Sequence, residues 1–285
     1  MIIYFFKDRS KGPIDFYELI DGYFDKIPNA KITSNDEEVF VDLFLPSFDC
    51  SYRFSITKRS RVKSLYRLNA DYSNTFLVCE MPNVVPQFVF RLMLKQVEDV
   101  CAKFELAIYH DMMNNICEFN MLDLIQLFPK ERAKYLEDHP EIVTYKVDQD
   151  MLNEICECQS KLEELPKLLG RDIVASPYIV LKDNTNRIYF SVNWHVGVPT
   201  TFPPHLDFVH IEEEENLVSL VPIHIFYKYV ERYMTEIKDG LVKTQIKCLR
   251  EKESAKAKKL IKKMRKSVIS TFHYEVIQLT DLIEK

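Results

Sequence analysis

The sequence predicts an α+β protein made of two tandem related units of antiparallel sheet with flanking helices, followed by a long basic C-terminal helix. Three observations carry this prediction. Strand-like and helix-like hydrophobic periods alternate along the chain, their order recurs at an offset of 136 residues, and cationic residues concentrate near the C-terminus. The predicted boundaries are 1–140 for the first unit, 148–240 for the second, and 241–285 for the basic helix and a C-terminal element packing on the second unit.

In chain order, Ile2 to Phe6 is a short apolar run fit for a buried strand. Pro13 then opens a helical pattern through Phe16, Leu19, Ile20, Tyr23, Phe24 and Ile27, which Pro28 ends. Val39, Val41, Leu43 and Leu45 alternate on one strand face, and Pro46 to Asp49 turns the chain into a second strand, Tyr52 to Thr57. Thr75 to Met81 makes another strand, and Pro86 starts a long helix with Phe88, Leu92, Val97, Val100 and Phe104 spaced for burial. Glu105 to His110 and Ile116 to Phe119 form a short strand pair. Met121 to His139 is helical, with an interruption expected at Pro129 because proline lacks the N–H that a helix interior needs.

The second half repeats these signals. Asp148 to Leu165 is a helix, and Pro177 to Lys182 with Arg187 to Trp194 is a hairpin across Asp183 to Asn186. A strand at Asp207 to Ile211 follows, and Pro222 opens a helix through Ile237. At the 136-residue offset, Phe54-Ser-Ile56 falls on Phe190-Ser-Val192 and Val85-Pro86 falls on Val221-Pro222, without a gap over about 86 positions.

The first unit, read through Pro13 to Ile27, Val39 to Leu45, Tyr52 to Thr57, Thr75 to Met81, Pro86 to Phe104, the strand pair and Met121 to His139, resembles in topology the type III secretion chaperone-like domains. The resemblance covers about half the chain and implies a small α+β fold that binds other polypeptides. No motif of that family is present, and the second unit departs from the pattern after Pro222.

Composition excludes several function classes. The five glycines are isolated, so no backbone cradle for a phosphate can form in the usual P-loop or dinucleotide manner. The Gly-x-Ser-x-Gly turn of serine hydrolases is missing too. Seven scattered cysteines, odd in number and set among apolar neighbours, fit reduced thiols in a cytoplasmic protein. The longest late apolar stretch, Leu217 to Tyr227, falls short of the roughly 20 residues of a membrane span, so no membrane partner is expected.

Charge is unevenly placed. Lys243 to Lys266 holds eleven Lys or Arg against Glu251 and Glu253, a net of +9 in a chain whose total is −5. A helix over Leu241 to Val268 would present Lys256, Lys258, Lys259, Lys262, Lys263, Arg265 and Lys266 as an anion- or partner-binding face. Overall acidity and the lack of aromatic residues among these lysines weigh against nucleic acid.

Three further constellations carry candidate chemistry. His195, His205 and His210, followed by Glu212 to Glu215, have the residue types of a metal site, but their spacing matches no ligand motif, and strand parity sets His210 beside Phe208 as a packed imidazole. Asp148-Gln-Asp150 resembles a cation-holding Asp-x-Asp, but it stands directly before a helix, where a carboxylate caps free N–H groups. Cys156 and Cys158 point roughly 200° apart on a helix, which suits neither a disulfide nor shared chelation. The sequence therefore predicts a non-catalytic interaction or chaperone-like module with no cofactor, whose partner is another protein or a second copy of itself. The alternatives are a metal-dependent hydrolase centred on the three histidines and a nucleic-acid-binding protein using the basic helix.

Overall fold

The computed structural model describes residues 1–63, 65–170, 172–213, 217–237, 245–264 and 273–285. The chain divides into two compact units, Met1–Val143 and Thr144–Lys285. Helices and sheets are present in both, in an α+β arrangement.

The first unit runs β1 (Ile2–Asp8), α1 (Phe16–Ile20), β2 (Lys31–Ser34), β3 (Glu38–Leu45), β4 (Cys50–Thr57), β5 (Tyr72–Glu80), α2 (Gln87–Phe104), β6 (Leu106–Tyr109), β7 (Cys117–Glu118) and α3 (Met121–Asp138). Its described strands form one antiparallel sheet in the order β2-β3-β4-β5-β1-β6-β7. The run Ile-Ile-Tyr-Phe-Phe becomes an interior strand because both of its faces find cover. Phe5 meets Phe54, which in turn meets Phe24, with ring centroids 5.9 and 4.9 Å apart. On the opposite face Tyr4 and Phe6 join Val62, Val78 and Tyr109 in a second cluster. Lys7, at the end of the same strand, is buried and donates through Nζ to the Phe104 carbonyl, 2.5 Å away, where the negative end of the α2 dipole favours a cation.

Helix α2 begins directly after Pro86, and its buried stripe includes Val89, Phe90, Met93, Leu94, Val97 and Val100. It lies against β6 and α3. Phe90 stacks on Phe128 of α3 with centroids 3.9 Å apart and planes 7° from parallel. Contrary to the expected interruption, α3 passes through Pro129. Proline cannot donate to the Ile125 carbonyl four residues back, but the side-chain amide of Gln87 supplies that hydrogen bond from α2, at 3.3 Å.

The second unit runs β8 (Tyr145–Val147), α4 (Gln149–Ser160), α5 (Leu165–Leu169), β9 (Val174–Ala175), β10 (Ile179–Asp183), β11 (Ile188–His195), β12 (Thr200–Phe202), β13 (Phe208–Glu213), β14 (Leu217–Pro222), α6 (Ile223–Val230), β15 (Met234–Ile237), β16 (Ile246–Leu249), α7 (Glu251–Lys258), α8 (Ile261–Met264), β17 (Tyr274–Ile277) and β18 (Leu282–Glu284). Its described strands form sheets ordered β14-β13-β11-β10-β17, β15-β16-β12-β9 and β18-β8. Asp148 caps α4 by accepting from the Met151 N–H at 3.1 Å, as a carboxylate before a helix should. Cys156 and Cys158 of α4 are both buried, and all seven cysteines are free thiols.

Three expectations are corrected here. The sheets of the second unit are not purely antiparallel, because β11 pairs in parallel with β13, β12 with β9, and β18 with β8. The chain leaves β11, crosses to another sheet as β12, and returns to lay β13 in the same direction. The helix expected from Pro222 to Ile237 stops at Val230, and Met234–Ile237 pairs with β16 instead. The long basic helix is likewise absent among the described residues. Ile246, Cys248 and Leu249 are buried with Lys247 half-buried among them, and Ile246–Leu249 pairs as a strand between β12 and β15. Only the short α7 and α8 follow; Leu241 to Thr244 and Arg265 to Val268 lie outside the described residues. The described part of 241–285 thus contributes strands to the sheets of the second unit.

Two local features recur at the 136-residue offset. Helices α2 and α6 start after Pro86 and Pro222 with nearly equal backbone angles (φ −54°, ψ 142° and φ −58°, ψ 138°), and β3–β4 and β10–β11 are both antiparallel hairpins. Pairing then diverges: β4–β5 is antiparallel where β11–β13 is parallel, and residues 136 positions after β1 form no strand.

The Gln87 contact gives a direct test. Gln87→Leu should destabilise the protein by about 1–2 kcal/mol in urea unfolding, by orphaning a helix carbonyl. In a Pro129→Ala background, where the residue-129 N–H is restored, the same change should cost much less, and the double-mutant cycle measures that coupling.

Candidate interaction surface

The basic face is built on two short helices whose burial repeats at three and four residues. Ser254, Ala257, Ile261 and Met264 are buried, while Lys252, Lys256, Lys258, Lys259, Lys262 and Lys263 are exposed. The Ser254 hydroxyl donates to the Val198 carbonyl at 3.0 Å and fixes the first turn of α7. That turn carries Glu251 and Glu253 at the positive end of the helix, and the lysines follow it. Lys256, Lys259, Lys262 and Lys263 make no ion pair with another described residue. By contrast Lys247, on β16, is committed to Glu231 at 2.5 Å and lies 4.3 Å from the centre of the Tyr227 ring. Five of the seven predicted cations thus lie on one exposed surface; Arg265 and Lys266 fall outside the described residues.

The three predicted histidines are not brought together. His195, exposed at the end of β11, has Nδ1 2.7 Å from Glu212 Oε2. His205 sits in the loop before β13 with a left-handed backbone (φ 60°), its Nε2 2.6 Å from Glu154 Oε2. His210 is buried on β13, its Nδ1 2.9 Å from Ser191 Oγ and its Nε2 3.2 Å from the Tyr274 hydroxyl. Among the described residues no three His, Cys, Asp or Glu side chains stand close enough to share a metal ion. Glu214 and Glu215 lie outside the described residues.

The Ser191–His210–Tyr274 chain was missed in the sequence. Parity sets His210 beside Phe208, but nothing announces a tyrosine 64 residues downstream on β17. The arrangement places a serine beside an imidazole, yet Ser191 has no exposed surface and its oxygen cannot reach a substrate. Its chemical role is to satisfy polar groups on a packed sheet face and to tie β17 to β13 and β11. Burial pushes the His210 pKa below its ordinary 6.5. Among the described residues no helix is long and apolar enough to cross a membrane.

Because His210 is held neutral in the folded protein, the unfolded chain takes up its proton more readily, and stability falls as pH drops below 6.5. Trp194, the sole tryptophan, is buried on β11 and reports unfolding of this unit. Its fluorescence in urea at pH 7 and pH 5 should show a larger loss of stability in the wild type than in His210→Gln. Equal losses would remove His210 from the acid response.

No protein-family model, curated protein or solved structure matches the chain.

Proposed function

We propose that the chain is a non-catalytic interaction module that holds an acidic stretch of another protein on the lysine face of α7 and α8. The observation that carries this reading is the division of the two helices into a buried stripe, Ser254, Ala257, Ile261 and Met264, and an opposite face of exposed lysines. Four of those lysines have no described counter-ion, so carboxylates of a partner meet them without first displacing an internal one.

Lysine supplies compact point charges rather than the planar forks that read phosphates and bases, and the described residues from Ile246 to Met264 include no aromatic side chain. An acidic polypeptide suits that surface better than a nucleic acid does. The separate carboxylate, serine and tyrosine partners of His195, His205 and His210 lend no support to a metal-dependent hydrolase. The polypeptide-binding habit of the chaperone-like domains that the first unit resembles points the same way. A duplicated origin for the hairpin and the proline-led helix belongs to the same reading, supported by Pro86 and Pro222 at one offset.

The test is fluorescence anisotropy with a labelled Glu/Asp-rich peptide, a single-stranded oligonucleotide and a DNA duplex, each across a salt series. The peptide should bind, and Lys256→Gln/Lys259→Gln/Lys263→Gln should weaken it about tenfold, as three exposed charge pairs permit, with an unchanged melting temperature. Equal peptide affinity in the variant, or tighter binding of either nucleic acid, would overturn the reading. Sedimentation of the free chain shows whether a second copy is the partner.

A further inference from the structure

A second basic site lies in the first unit, where the chain crosses the sheet between β4 and β5. From Thr57 to Arg67 the segment carries Lys58, Arg59, Arg61, Lys63 and Arg67 and no acidic residue. A surface cavity of about 530 Å³ opens beside it, lined by Thr57, Lys58, Arg59, Ser60 and Arg61, with Glu37 and Glu38 on the facing wall.

The walls of this cavity are held in place. The Thr57 hydroxyl donates to the Arg59 carbonyl at 2.7 Å and lies 3.4 Å from the Phe76 carbonyl. Ser60 Oγ accepts from the Val62 N–H at 3.2 Å and from the Asn74 amide at 2.7 Å, which leaves its own proton to donate. Arg61 bridges Glu38 and Glu80 at 2.7 and 2.6 Å, so of the two lining carboxylates Glu38 is paired, while Glu37 has no described cationic partner. Lys58 and Arg59 have no described ion-pair partner, and the backbone N–H groups of Lys58 through Arg61 donate to no described acceptor. Two side-chain cations and a hydroxyl thus belong to residues that line one cavity, a donor set that matches the oxygens of a compact anion.

Local strain adds to the case. The β1–β5 register shifts between Tyr4 and Phe6, and the bulge holds Phe76 at φ 60°, a left-handed conformation unfavourable for a phenylalanine. Its ring is 38% exposed, although an apolar side chain on a ladder strand normally gains by burial. The bulge sets the Phe76 carbonyl 3.4 Å from the Thr57 hydroxyl of the cavity wall.

We propose that this cavity binds a phosphate group, held by Lys58, Arg59 and Ser60. The phosphate is either free or carried on a larger molecule. This site is independent of the lysine face of α7 and α8.

Isothermal titration of the intact chain with potassium phosphate and with adenosine monophosphate, at matched ionic strength, tests the proposal. Lys58→Gln/Arg59→Gln, two exposed changes, should weaken binding about tenfold or more with the melting temperature unchanged, whereas Lys256→Gln/Lys259→Gln should leave it unaltered. Tighter binding of the mononucleotide than of phosphate assigns the site to a carried phosphate, and binding of phosphate alone or equal affinity for both assigns it to the free anion. Absence of binding by either probe at millimolar concentration, or equal affinity in the Lys58/Arg59 variant, would overturn the proposal.

Discussion

Each unit is organised around a strand that must be covered on both faces. In the first unit this is β1, whose side chains enter the Phe5–Phe54–Phe24 ring contacts on one side and the Tyr4, Phe6, Val78 and Tyr109 cluster on the other. In the second it is β11, with Phe190, Val192 and Trp194 buried on one face and Ser191 on the other. Each large side chain so buried contributes roughly 1.5–3 kcal/mol; flanking strands pair the backbone, and side chains such as Phe24 and Val62 from outside the strands help to cover the faces. That requirement sets the interior position of both strands, and the loops, short helices and charged faces are arranged on what remains.

Polar groups forced inside by this packing are satisfied individually. Lys7 finds the carbonyl end of α2, Gln87 replaces the donor that Pro129 lacks, and Ser191, His210 and Tyr274 answer one another. Such groups mark stability rather than chemistry, because none of these contacts leaves a reactive atom both activated and accessible. Exposed cations without a described counter-ion include Lys256, Lys259, Lys262 and Lys263 on α7 and α8 and Lys58 and Arg59 after β4.

The local signals legible in the sequence were those that act within a few residues. Proline at a helix start, a carboxylate cap at Asp148 and the turn at Asp183 each express a local hydrogen-bonding need, and each appears in the structure. Signals that depend on distant partners were not legible. Pro129 reads as a helix breaker until Gln87, 42 positions earlier, is seen to supply the missing bond; the Gln87 amide reaches Ile125 across 38 residues of sequence. Ile246 to Leu249 fits either a basic helix or a strand, and the neighbouring strands β12 and β15 decide it. For the candidate sites, the lysines of α7 and α8 stood out by charge alone, whereas the cavity at Lys58 to Arg61 forms where β3 pairs with β4 and brings Glu37 and Glu38 beside that segment.

The account turns on whether the lysine face of α7 and α8 is where a partner is held. Hydrogen–deuterium exchange of the intact chain, with and without a saturating Glu/Asp-rich peptide, addresses this most directly. Slowed exchange confined to Glu251–Met264 and the strand that leads into it is the predicted result. Unchanged exchange there, or protection that appears only elsewhere in the chain, would contradict it.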